Sequence, residues 1–275
     1  MKLKNPALSI LFLFLGLSLC AQKDKEEFPT FNEEMAIGIG EDTIAVYALI
    51  ASGSKVKETV ILLHGIPGNE RNLDLAQDLR REGKNVIFFS YRGAWGSQGK
   101  YSYANCLEDV GHVLDFFSDS AVVSKMHIDT TRFALIGHSL GGGIALIQGA
   151  KDRRVKKTIA IAAANFAYGW RNVTSVDSLQ GFQNYIKSSV MLNCNAKEFV
   201  QEIIDHKAEY DVLSYNKVLA AKKVLLIDDY DRSNSWPGKL MKPIEYKVIE
   251  SDHSFTNKRK ELSDYIIVWL EKNAP

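Results

Sequence analysis

The chain has 275 residues, 46% of them hydrophobic, and 34 basic against 33 acidic side chains leave a formal net charge of +1. That length and apolar content suit one globular domain with a full core. A balanced charge offers no extended field for a polyanion, so no nucleic-acid partner is expected.

Residues 1–21 read as an address rather than as part of the fold. Lys2 and Lys4 precede an apolar run over residues 7–19, followed by Cys20-Ala21-Gln22 and the charged stretch Lys23 to Glu27. A basic start, a short apolar core and a small residue at its end predict a secretory signal peptide. The run is too short to be a spanning helix. Cleavage after Ala21 gives an exported soluble protein, periplasmic or secreted. Leu17-Ser18-Leu19-Cys20 also resembles a bacterial lipobox, whose use would put a lipid on Cys20 and the protein on a membrane. Leu19 stands where that box has a small residue, which favours the soluble form. Cys106 and Cys194 remain in the mature chain, and an oxidising compartment allows them to pair, although spacing alone does not say whether they do. The sequence has no C-x-x-C and no H-E-x-x-H, so neither metal nor cofactor is expected.

Residues 28–31 read as an arm. Apolar stretches over 35–39 and 44–50 flank a turn and predict an antiparallel leading edge. Residues 58–63 form a continuous apolar run, as in a strand buried on both faces, and lead into His64-Gly65-Ile66-Pro67-Gly68. Residues 72–82 are helical in period, with Leu73, Ala76 and Leu79 on one face and Gly83 as a stop. A strand over 85–90 enters Tyr91-Arg92-Gly93-Ala94-Trp95-Gly96-Ser97, and a helix over 104–118 carries Leu107, Val110, Leu114 and Phe117 as its stripe. The strand starting at Phe133 stops abruptly in Gly137-His138-Ser139-Leu140-Gly141, and a helix follows. After a strand over 157–163 the rhythm breaks. Residues 165–216 are rich in aromatic and polar side chains and too long for a connection, which predicts an inserted helical cap. Strands over 224–227 and 244–249 and an amphipathic helix over 262–270 complete the chain. Strands alternating with helices imply an α/β fold: a mostly parallel sheet of about eight strands with helices on both faces. Such sheets gather reactive loops beyond the carboxyl ends of their strands. His64, Tyr91, Ser139, Asp228 to Asp231 and His253 all fall there.

A serine on a sharp strand-to-helix turn needs glycines beside it, because a Cβ at 137 or 141 would crowd the neighbouring strand and helix. Its hydroxyl is a poor nucleophile unless a base takes its proton, and histidine suits that task near neutral pH. Of six histidines, His112 lies in a helix, His127 in a connection and His206 in the cap. His138 is fixed beside the serine by the elbow and points elsewhere, and His64 belongs to the loop after its strand, which it is expected to hold in shape. His253, after the last strand, is the expected base. A carboxylate must orient it, and Asp228, Asp229 and Asp231 are all available; Asp252 is expected to cap the following helix.

From about residue 33 to 273 the chain resembles the α/β-hydrolase fold family. His64-Gly65-Ile66-Pro67, Gly137-His138-Ser139-Leu140-Gly141-Gly142 and Asp252-His253-Ser254-Phe255 carry the likeness, in the order nucleophile, acid, histidine. The resemblance implies a hydrolase domain over residues 28–275 with its cap at about 165–216, and a triad of Ser139, His253 and Asp231, with Asp228 as the rival acid. It also implies an oxyanion hole made of the Ile66 and Leu140 amides. His64, Trp95, His138 and Trp170 are the residues expected near substrate. The loop from Tyr91 to Gly99 is similar to that of prolyl-oligopeptidase-like peptidases and related esterases, and Arg92 there is expected to brace it through a buried ion pair. Those peptidases more often carry Gly-Gly-Ser-Tyr-Gly-Gly and a preceding propeller, which favours an esterase or lipase here. Phe166, Tyr168, Trp170, Phe182 and Tyr185 either cover an apolar acyl or aromatic site or form a small core within the cap. The expected substrate is a small ester or a short acyl or peptidyl compound. A peptidase or acyltransferase with the same triad, and a silent binding protein on the same fold, are the alternatives.

Overall fold

The computed structural model describes residues 28–274, so the expected signal peptide and Cys20 lie outside the described residues. The first two strands, β1 (Phe31–Ile39) and β2 (Asp42–Ile50), form the antiparallel leading edge. They are followed by β3 (Lys57–Leu63), β4 (Asn85–Phe89), β5 (Ile128–His138), β6 (Val155–Ile161), β7 (Lys223–Asp228) and β8 (Glu245–Val248). All eight join one sheet in the order β1-β2-β4-β3-β5-β6-β7-β8. The β2–β4 pair is antiparallel, and every pair from β4 to β8 is parallel. From the antiparallel edge the chain enters the parallel part at β3, steps to β4 on one side, and then crosses back to run from β5 to β8 on the other. This brings the carboxyl ends of β3 and β5 side by side.

The side-chain alternation of the strands divides the core into two layers. In β3, Ile61 and Leu63 face one way and Val60 and Leu62 the other; Phe89 and Phe88 part in the same manner on β4. Four helices, α1 (Leu73–Arg81), α2 (Tyr103–Phe116), α3 (Ser120–Met126) and α4 (Leu140–Lys151), lie between the first six strands. The chain from β6 to β7 is helical throughout its ordered elements: α5 (Phe166–Gly169), α6 (Gln180–Lys187), α7 (Ala196–Asp205), α8 (Lys207–Tyr210) and α9 (Asn216–Ala220), with 3₁₀ turns between them. The last helix, α10 (Arg259–Lys272), packs with α1 on the Val60–Leu62 face, while α2, α4 and the β6–β7 segment cover the other.

Two local readings change. The buried stripe of α1 is Leu75, Ala76 and Leu79, whereas Leu73 is exposed at the first helical position, where it faces neither core. The short α3 has no apolar period long enough to mark it. It forms because Asp119 accepts hydrogen bonds from the amides of Ala121 and Val122 at its start.

The loop after β4 is braced as expected. Arg92 Nε lies 2.6 Å from Asp109 Oδ1, its amide donates to Asp109 Oδ2 at 2.7 Å, and the Asp109 side chain is fully buried. In the helical segment between β6 and β7, the half-buried rings of Phe166, Trp170 and Phe182 pack with centroids 5.0–5.1 Å apart and lie against the main core, and Phe182 also meets Phe199.

The tightest packing is between α4 and the sheet. A Cβ on Gly141 would meet the carbonyl oxygens of Leu63 and His64, whereas one on Gly181 in α6 would have nothing within 4 Å. Gly141→Ala is therefore expected to cost more than about 3 kcal/mol or to prevent folding, while Gly181→Ala should raise stability by roughly 0.5 kcal/mol or leave it unchanged. Urea unfolding of both variants checks this; equal effects would contradict the packing.

Candidate active site

Ser139 stands alone between the last residue of β5 and the first of α4, with φ 56° and ψ −118°. Such backbone costs a residue with a Cβ about 1–3 kcal/mol and persists only where its surroundings impose it. Here four main-chain bonds do so. The Ser139 amide donates to the Ile161 carbonyl at 2.9 Å, and its own carbonyl accepts from the amides of Ala164 (2.8 Å), Gly142 (3.0 Å) and Gly143 (3.3 Å). Gly137 and Gly142 provide the room. A Cβ on the first would strike the Gly141 carbonyl, and one on the second would sit 2.7 Å from the Ala163 Cβ. Ser139 is left half-buried at the carboxyl end of the sheet. The Leu140 amide beside it opens a helix, where main-chain N–H groups have no intrahelical acceptor and carry the positive end of the helix dipole.

The loop after β3 runs directly against this turn, since a Cβ on Gly65 would lie 3.0 Å from that of Ser139. Three successive carbonyls of the loop each accept a side-chain hydrogen bond from a different element. His64 Nδ1 donates to Gly65 O at 2.7 Å, the Tyr185 hydroxyl of α6 to Ile66 O at 3.0 Å, and Trp95 Nε1 to Pro67 O at 2.6 Å. The His64 ring is buried, and its Nε2 accepts from the Tyr91 amide at 3.4 Å. Burial holds its pKa down to about 4, so the ring is neutral with the proton on Nδ1. Because a trans peptide sets its N–H opposite its carbonyl, fixing Gly65 O also aims the Ile66 N–H away from the His64 ring.

His253 and its carboxylate come together through the sheet. The β7–β8 ladder continues past both strands, with the Ile249 amide donating to Asp228 O (2.9 Å) and the Ser251 amide to Asp229 O (3.0 Å). Neighbouring residues on such an extended stretch point to opposite sides. Asp228 is buried against Arg232, which also reaches Ala163 O at 3.0 Å. Asp229 turns the other way and places Oδ2 3.3 Å from His253 Nδ1. Asp231 is exposed and accepts from the Ser233 amide at 2.8 Å. The carboxylate against His253 is thus Asp229, which corrects both the expected Asp231 and its rival Asp228. Asp252 accepts from the Thr256 amide at 2.8 Å and caps the turn ahead of α10, as its position suggests.

His138 also departs from expectation. It is buried rather than open to substrate, and its Nε2 donates to the His253 carbonyl at 2.7 Å, with the two rings 4.8 Å apart. Desolvation holds its pKa at about 4 as well, so it donates as a neutral ring. Since His138 precedes Ser139, this bond ties the His253 loop to the serine turn. The imidazole of His253 itself is 56% exposed. His64, Trp95 and His138 are thus engaged in holding main chain, His64 and His138 as buried rings, and half-buried Trp170 packs on Phe166 and Phe182. Among the described residues no cluster of three or more histidine, cysteine or acidic side chains is placed to hold a metal ion, and no helix is long and apolar enough to cross a membrane.

Residues 58–205 match the family model described as the alpha/beta hydrolase fold. Among curated proteins none matches the chain in sequence. Solved structures that share its fold include Est1E from Butyrivibrio proteoclasticus, at TM-score 0.68 and 15% identity over 87% of this chain and 98% of that one. The Pyrococcus furiosus esterase Pf2001 matches at TM-score 0.61 and 17% identity, over 88% of this chain and 93% of its own. A thioesterase domain from the curacin biosynthetic pathway matches at TM-score 0.54 and 15% identity, over 86% and 99%.

Two buried neutral histidines set a sign for pH dependence. With pKa values near 4 in the fold and about 6.5 unfolded, the unfolded chain binds more protons between those limits. Their stabilising effect is complete above about pH 6.5 and is lost as pH falls through 4, on the order of 3 kcal/mol for each. Urea unfolding should show a loss of several kcal/mol between pH 7 and 4.5, with two imidazole NMR signals unmoved from pH 8 to 5.5. Signals for His64 or His138 that titrate near 6.5 would contradict the assignment.

Proposed function

This chain belongs to the α/β-hydrolase fold family, and we propose that it is an exported serine hydrolase that cleaves carboxylic esters through an acyl-enzyme. One observation carries the reading. A serine is held in costly backbone at a strand–helix turn, and the His253–Asp229 pair is tied to that turn through His138. A fold keeps such strain where a side chain must be presented in one direction. Among the structural neighbours, Est1E has been solved with ferulic acid bound, and Pf2001 is an esterase. Both support an ester substrate at the level of the fold. Export rests on the sequence of residues 1–21 alone.

In this mechanism Ser139 Oγ attacks the ester carbonyl while His253 takes its proton. Asp229 holds Nδ1–H, fixing the tautomer and stabilising the imidazolium that forms. The amides of Leu140 and Ile66 receive the oxyanion, the first from the helix start and the second aimed by the clamp on Gly65 O. His253 returns the proton to the departing alcohol. Water, activated by the same imidazole, then releases the acid and restores Ser139.

A panel of 4-nitrophenyl esters tests the acid assignment. Asp229→Asn should lower kcat/KM by roughly 10²–10⁴-fold, because the amide favours the wrong imidazole tautomer. Asp231→Asn should stay within about threefold of wild type, since an exposed loop carboxylate contributes little at a distance. The reverse ranking would return the acid to Asp231. Hydrolysis of aminoacyl amides in preference to all esters would move the enzyme to the peptidases.

A further inference from the structure

Beside the loop that holds Ile66 lies a cavity of about 560 Å³, between the leading edge of the sheet and the start of α1. Its walls include Met35 and Val46 from the first two strands, Phe88 from β4, and Trp95. Arg71 projects into this apolar space with its guanidinium carbon 4.1 Å from the centre of the Trp95 ring and 5.5 Å from that of Phe88. The other half-buried arginines at this end of the fold each hold a carboxylate: Arg92 with Asp109, Arg232 with Asp228, and Arg259 with Asp74. Among the described residues no carboxylate lies within ion-pairing distance of Arg71. Stacking satisfies the faces of a guanidinium but not the N–H groups at its edge, which are shaped to grip a carboxylate through two parallel bonds.

We propose that this cavity binds an organic monocarboxylate with an apolar body of phenyl or short-acyl size, its carboxylate on the edge of Arg71. The volume falls in the range of small-molecule sites, and the walls are apolar apart from a few polar groups, which matches the makeup of such sites. Glu34 is an exposed residue of the same lining. The body rests on the same rings that flank the guanidinium. Trp95 also donates to Pro67 O, so a molecule seated here touches the indole that steadies the Ile66 loop. The inference does not depend on hydrolysis by Ser139.

The probe is 4-phenylbutyrate, titrated into the mature protein while the indole N–H signals of the tryptophans are followed by NMR. Its neutral isostere, 4-phenylbutyramide, is the control. The acid should bind with a Kd of about 1 mM or below and move the Trp95 signal while leaving buried Trp236 unmoved. The amide should bind at least about tenfold more weakly, and Arg71→Met should weaken the acid by a similar factor. Arg71→Lys, which keeps the charge but loses the planar fork, should fall between. Equal binding of acid and amide to wild type overturns the proposal without any variant being needed. So does unchanged binding by Arg71→Met, a Trp95 signal that stays still, or no binding at about 10 mM.

Discussion

The reactive end of this fold depends on how closely the start of α4 approaches β3 and β5. Gly137 and Gly141 let helix and strand main chains touch where any Cβ would collide. That contact leaves Ser139 as the only residue between strand and helix, in backbone its Cβ disfavours. Everything else at the site is placed relative to this turn. Gly65 lets the β3 loop lie against the serine, and His138, one residue earlier, reaches the His253 carbonyl. Relaxing the approach by a fraction of an ångström would move Ser139, the Leu140 amide and the His253 loop together.

Around the turn, three histidines divide between structure and chemistry according to burial. His64 and His138 are desolvated, neutral, and used as fixed hydrogen-bond donors to main-chain carbonyls. A neutral donor suits that task, because under the proposed mechanism a charge so near the serine would oppose proton transfer to His253. His253 alone combines solvent contact with a carboxylate partner. Tyr185 and Trp95 extend the main-chain clamp to Ile66 O and Pro67 O, so the loop is steadied from the cap and from the β4 loop as well as from within.

Much of this was legible in the sequence because it rests on local rules. Strand runs, glycine positions and the strand–serine–helix junction place the sheet, the elbow and His253 at one end. The acid was not legible from spacing. Alternation from Ile227 sets Asp228 on one side and both Asp229 and Asp231 on the other, and what separates those two is that the ladder with the chain after β8 reaches Asp229 and goes no further. The expectation of His138 near substrate fails for a related reason, whereas His64 holds its own loop as its position suggests. Position beside the serine is readable, but whether a ring faces solvent or a buried carbonyl is set by packing across elements. Nothing in the sequence marks Tyr185 as a donor to Ile66 or leaves Arg71 without a carboxylate.

The claim on which the account turns is that Ser139 is chemically activated by its surroundings. Its most direct test is labelling of the purified protein with a fluorophosphonate, followed by peptide mapping. The account predicts one modified residue, Ser139, with labelling abolished in Ser139→Ala and strongly slowed in His253→Ala. A folded wild-type protein that stays unlabelled, or that is labelled elsewhere, would contradict it and leave the strained turn without the role assigned to it.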